Sequence, residues 1–124
     1  IPFIDFFKLA FERGLDFAGD HPKYCLIGAH LASPGGDPLG LMEMGKKSAE
    51  SLYVTLIEAD KEKGLIRQDV DSELLAKILH GMSSEIAIEK LYREHKGKDE
   101  IMGVVDEFLK VLTHGINRKR GKDT

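Results

Sequence analysis

The stretch Gly64-Leu65-Ile66-Arg67-Gln68-Asp69-Val70-Asp71-Ser72-Glu73-Leu74-Leu75-Ala76 reads as a corner between two helices. Gly64 follows a long helical pattern and suits the left-handed conformation that ends a helix, because it has no Cβ to clash. Leu65 to Val70 is a short connection. Asp71 then caps the next helix, and Glu73 sits favourably near the positive end of its dipole.

Both neighbours of this corner are helical. Upstream, Met42, Gly45, Ala49, Leu52, Leu56 and Ala59 recur at helical spacing, flanked by Leu41, Tyr53 and Ile57, while Lys46, Lys47, Glu50, Glu58 and Lys61 fall largely off that stripe. The spacing predicts a helix from Pro38 to Lys63, capped by Asp37. Gly40 and Gly45 weaken its start, each costing about 1 kcal/mol against Ala. Downstream, the pattern predicts a helix from the Asp71 cap to His95, about 37 Å long at roughly 1.5 Å per residue. Leu74, Ile78, Met82 and Glu85 share one side of it; Leu75, Leu79, Ile86 and Leu91 spread over the next. Gly81, Ser83, Ser84 and Ala87 are small enough to let another helix approach closely.

Gly97 breaks the chain again. Ile101, Val104, Val105, Phe108 and Leu112, widened by Leu109 and Val111, predict a fifth helix from Asp99 to Asn117. Towards the N-terminus, Ser33-Pro34-Gly35-Gly36-Asp37-Pro38 cannot continue a helix and reads as a loop. A short apolar helix precedes it, from Lys23 to Ala32, with Pro22 in its first turn and Asp20 or His21 as cap. The first helix, from Pro2 to Ala18, carries two stripes: Phe3, Phe6 and Ala10, then Ile4, Phe7, Phe11 and Leu15. Two stripes predict contacts on more than one side and a central position. No stretch alternates like a half-buried strand, and no repeat is present. The fold class predicted is all-α, with five helices.

Composition agrees. A chain of 124 residues supports one domain, and 42% hydrophobic residues exclude a disordered one. No run is long and apolar enough for a transmembrane span or a signal peptide. Ile1 falls inside a helical pattern, so the chain reads as a piece of something longer. Cys25 is the single cysteine. That excludes an internal disulfide and a multi-cysteine zinc site, and fits a reducing, cytoplasmic setting. A net charge of -3 and a pI of about 6.0 are not those of a free-standing nucleic-acid binder. The one dense basic cluster, Arg118, Lys119, Arg120 and Lys122, reads as a solvated tail.

The order and lengths of these helices, with the Gly64–Ala76 run, resemble the regulatory domain of TetR-family transcriptional regulators. In that family a Gly ends one helix, an Ile-Arg pair packs the corner and an Asp caps the next; here these are Gly64, Ile66-Arg67 and Asp71. His21-Pro22 is similar to the start of the family's sixth helix. The resemblance implies that residues 1–124 are the C-terminal ligand-binding and dimerisation domain, comprising the family's fifth to ninth helices. It also implies an N-terminal helix-turn-helix domain absent from this chain, through which alone operator DNA is bound. The implied partners are a second copy, in a homodimer, and a small-molecule effector; no membrane is implied. The last two helices would form a four-helix-bundle interface with their twins.

The expected ligand-binding residues are Phe7, Phe11, Leu15, Ile27, His30, Met42, Tyr53, Leu56, Ile78 and Met82, lining a cavity between the first four helices. Apolar walls with adaptable methionines and few polar groups suit a small, largely apolar ligand. The plainer reading of the same residues is core. His30, His80, Ser84, Glu12 and Glu85 are the polar groups near these stripes that would orient a ligand. Ser83, Ala87, Val105, Phe108, Leu109 and Leu112 are the expected dimer-interface residues, part of that seam also packing within the monomer.

No catalytic motif is found, so no enzymatic activity and no cofactor are expected. G-x-S-x-G is absent, and Ser33-Pro34-Gly35-Gly36 lacks the Lys and the strand of a phosphate loop. His21, His30, His80, His95 and His114 make no i, i+3 or i, i+4 pair, so no metal site is expected. The alternative function is a helical protein–protein interaction module without a ligand pocket.

Overall fold

The computed structural model describes residues 2–116, without the side chains of Tyr24, Cys25, Ala29 and Ala32. The basic cluster Arg118, Lys119, Arg120 and Lys122, the Cys25 side chain and the expected helix end at Asn117 lie outside the described residues. Those residues are mostly helical and contain no strand. Helix α1 is Phe3–Asp20, α2 Pro22–Ala32, α3 Leu41–Glu62, α4 Ser72–Ile86 and α5 Lys98–His114. The phenylalanines of α1 explain its place. Phe3 and Phe7 are one turn apart and fully buried, and Leu15 continues their face two turns on.

The corner between α3 and α4 is tightly tied. Gly64 is left-handed, with φ of 76°. Beyond it, the Leu65 and Ile66 amides donate to the Asp60 carbonyl at 2.9 and 3.4 Å, satisfying the end of α3. Lys61 Nζ donates to the Val70 carbonyl at 2.7 Å, and Ser72 Oγ donates to Glu58 Oε1 at 2.7 Å. The Gln68 amide reaches the Lys61 carbonyl. Asp71 Oδ1 accepts from the Leu74 amide at 3.1 Å, the expected cap. Nothing crowds a Cβ at Gly64. Gly64→Ala is therefore expected to cost only the left-handed strain, about 1–2 kcal/mol, read as a shift in the urea midpoint at unchanged m.

Three boundaries differ from expectation. Helix α3 begins at Leu41, not Pro38, because Gly40 is left-handed (φ 69°) and breaks helical continuity. Asp37 nevertheless caps across that turn: its Oδ2 accepts from the Met42 and Glu43 amides at 3.0 and 3.3 Å. Helix α5 stops at His114, where Gly115 turns to positive φ, three residues before Asn117. The predicted helix from Asp71 to His95 is α-helical only to Ile86. Ala87–Arg93 follows as a π-helix, in which the Glu94 amide reaches five residues back to the Glu89 carbonyl at 3.0 Å. The wider turn shifts later side chains around the axis, yet Leu91, the last residue of the expected stripe, still packs against the core. His95 ends this segment with φ of 54°.

In the loop from Ser33, the His30 carbonyl accepts from both the amide and Oγ of Ser33, at 3.1 and 2.6 Å. A Cβ on Gly36 would overlap that carbonyl, which accounts for the glycine. Neither Asp20 nor His21 caps α2 with its side chain; the His21 ring lies against Phe17, centroids 4.5 Å apart.

One core runs through α1, α3, α4 and α5. Its centre is Phe3, Phe7, Ile57, Leu79, Ile101 and Val105, and Ala76, Ile86, Met102 and Leu109 extend it. Helices α3 and α4 pack most closely, α1 lies against α5, and α2 rests chiefly on the π segment. Two surface ion pairs, Lys8–Asp106 and Lys98–Asp16, each 2.8 Å, link α1 to α5 and its start. The Asp106 carboxylate beside it holds the Lys8 ammonium above its ordinary pKa. No described helix is long and apolar enough to cross a membrane.

Candidate functional site

The ten expected ligand-binding residues do not gather around one cavity. Phe7 and Leu15 are buried in the core. Around Phe7 stand Phe3, Phe11, Tyr53 and Phe108, with ring centroids 5.9 to 6.5 Å away, all four tilted or edge-on in the arrangement aromatic pairs favour. These rings fill the space between α1, α3 and α5. Burial pushes the Tyr53 phenol pKa up, so Tyr53 is neutral there. Leu56 lines a shallow hollow of about 300 Å³ with Phe3, Phe6, Ala59, Asp60 and Lys63. Ile27 and His30 are exposed on α2, and Met42 is exposed on the first turn of α3, where every position from 41 to 48 faces outward. Ile78 and Met82 are exposed on the outer side of α4.

Among the polar candidates, Ser84 Oγ lies 3.4 Å from His80 Nδ1, both half-buried, and Glu12 is half-buried on α1. His30 and Glu85 are exposed. No group of three or more metal-ligating side chains occurs among the described residues.

The expected interface residues also divide. Val105 and Leu109, expected at the interface, are buried in the core of the single chain. Their i, i+4 spacing puts them on the inner face of α5, beside Ile101. Phe108 is half-buried with its ring edge-on to Phe7. Ser83 and Ala87 are half-buried where α4 passes into the π segment. Leu112 is half-buried and faces a cleft.

That cleft has a volume of about 630 Å³. Ile4 from α1, Leu65, Ile66 and Val70 from the corner, Leu74, Leu75 and Ile78 from α4, and Leu112 from α5 make its walls. Arg67, Asp71, Thr113 and His114 supply the polar lining. Asp71 is engaged in the α4 cap, and Arg67 Nε pairs with Asp69 at 3.3 Å on the surface. What remains is a half-open apolar trough with a polar edge, within the roughly 300–1,000 Å³ of small-molecule sites.

The outer side of α4 continues the trough. Leu74, Ile78 and Met82 succeed one another at i, i+4 and i+8, and are 56%, 38% and 41% exposed. Gly81 sits beside them and presents open space. Exposed apolar residues in sequence along one helix face are unusual for a surface that meets only water. No family model, curated protein or solved structure matches the chain.

Of the cleft walls, Ile78 was expected as a ligand-binding residue and Leu112 as an interface residue, while Met82, also expected to bind ligand, lies outside the cleft; the periodicity placed Leu74 with Ile78 and Met82 on one side of α4. Sequence reasoning missed Ile4, Leu65, Ile66 and Val70 as walls. Leu65, Ile66 and Val70 are apolar residues in a six-residue connection, which was itself the available signal. It also missed Asp60, a buried carboxylate at the end of the α3 stripe.

Proposed function

We propose that this chain is the effector-sensing and dimerisation domain of a TetR-family transcriptional repressor. The observation that carries the reading is the exposed Leu74–Ile78–Met82 stripe running into the apolar cleft. The corner supports it, with Gly64 left-handed, Ile66 half-buried against the core and Asp71 capping α4. These are the roles that the resemblance assigns to Gly64, Ile66 and Asp71; Arg67, expected to pack the corner with Ile66, is exposed and pairs with Asp69 instead.

In this reading a second copy lies along the outer side of α4 and roofs the open side of the cleft. A small, largely apolar ligand is then enclosed between Ile4, Leu75, Ile78 and Leu112. Dimer and ligand are thereby linked, because each covers apolar surface that the other leaves wet. Two such domains would hold two DNA-reading heads at a fixed spacing. A ligand that prefers a different spacing would shift the population away from operator DNA. The cytoplasm is the setting for that activity.

Sedimentation equilibrium in the presence of Nile red, a neutral apolar dye, tests this. The expected result is a dimer with one saturable dye site per chain, dye affinity falling as dilution dissociates the dimer. A chain that stays monomeric and binds no dye saturably, yet captures a different protein through the α4 stripe, would instead establish the interaction-module alternative.

A further inference from the structure

We infer that Asp60 is a positioning residue that couples the cleft to the first turn of α1. Asp60 is 5% exposed, and its two polar ends face different elements. Its carboxylate Oδ2 accepts from the Phe3 amide at 2.6 Å, a buried bond spanning 57 residues of sequence. Its carbonyl accepts from the Leu65 and Ile66 amides. Leu65 and Ile66 are cleft walls, and so is Ile4, the residue after Phe3.

The chemistry makes this junction stiff. The first amides of a helix have no partner within it, so the Phe3 amide depends on an outside acceptor. A carboxylate is the strongest acceptor available, and the positive end of the α1 dipole favours its charge. Buried amides and carbonyls left unpaired are costly, so neither set of bonds opens readily while the other holds Asp60 in place. Displacing the corner displaces the end of α3 and, with it, the acceptor that anchors α1. Material in the cleft touches both ends of this link, through Ile4 and through Leu65 and Ile66. The link is a property of the fold alone; its regulatory meaning rests on the effector reading above.

Coupling free energies are reciprocal, and this makes the inference testable without any ligand. Amide hydrogen exchange of the full chain is measured by NMR for the wild type, Asp60→Ala, Asp60→Asn and Ile66→Ala. Asp60→Ala removes the acceptor of Phe3 only. It is nevertheless expected to accelerate exchange at Leu65 and Ile66 as well, by about tenfold or more. Asp60→Asn keeps an acceptor oxygen and is expected to return most of the protection at all three amides. Ile66→Ala, made in the corner, is expected to accelerate exchange at Phe3. Acceleration confined to Phe3 in Asp60→Ala, or an unchanged Phe3 amide in Ile66→Ala, overturns the coupling. If Asp60→Ala does not fold, Ile66→Ala and Asp60→Asn still decide. Because no ligand enters the measurement, its failure is distinct from a failure of the effector reading, which the dye titration addresses.

Discussion

Phe7→Ala is expected to lower the free energy of unfolding by about 3–5 kcal/mol, the range for truncating a large aromatic in a core that cannot collapse around the loss. Phe7 is 1% exposed and touches rings from three helices: Phe3 and Phe11 on α1, Tyr53 on α3 and Phe108 on α5. Collapse into the vacated volume would require α1, α3 and α5 to move together. Phe11 is half-buried and, of these rings, meets only Phe7. Phe11→Ala is therefore expected to cost clearly less, because solvent already reaches its side chain and little cavity is created. Urea unfolding of the two variants side by side separates the possibilities. Equal losses would mean that the rings do not centre on Phe7. A loss of Nile red binding in Phe11→Ala at unchanged stability would place the ligand inside the aromatic cluster rather than in the cleft.

Ile78→Asp is the second large effect, and it falls on assembly rather than on folding. Ile78 is a cleft wall and the middle residue of the exposed α4 stripe. In the monomer its side chain is 38% exposed, so at a dilution where wild type and variant are both monomeric a carboxylate there is expected to leave the chain folded, with only a modest fall in the unfolding midpoint. In the dimer the same carboxylate would be buried without a partner. That should weaken association by about 2 kcal/mol or more, a factor of about 30 in Kd, as expected for a central interface position. Dye binding should fall with it. An unfolded variant would assign Ile78 to the core, and an unaffected dimer would remove the α4 stripe from the interface.

Much of this was legible in the sequence because the corner obeys local rules. Gly64 and Asp71 act through their own backbone and side chain, and both do what their residue types predict. The stripe of Leu74, Ile78 and Met82 was legible too, since 3.6-residue periodicity is a property of one helix. What was not legible is which stripe faces which neighbour. Val105 and Leu109 look the same from sequence whether they meet α1 and α4 of their own chain or a second copy. Ile27 and Met42 look like pocket residues by type, yet α2 and the start of α3 turn them outward. The π-helix at Ala87–Arg93 has no periodic signature, because it widens a helix without changing its composition. Asp37 shows a middle case: the cap was legible, but the left-handed Gly40 moved the helix it caps.

The most direct test of the regulatory reading is the coding DNA immediately upstream of the codon for Ile1. The prediction is an in-frame segment encoding a helix-turn-helix, followed by the linker helix that leads into α1. A start codon at that position, or an in-frame domain of another kind, would contradict it.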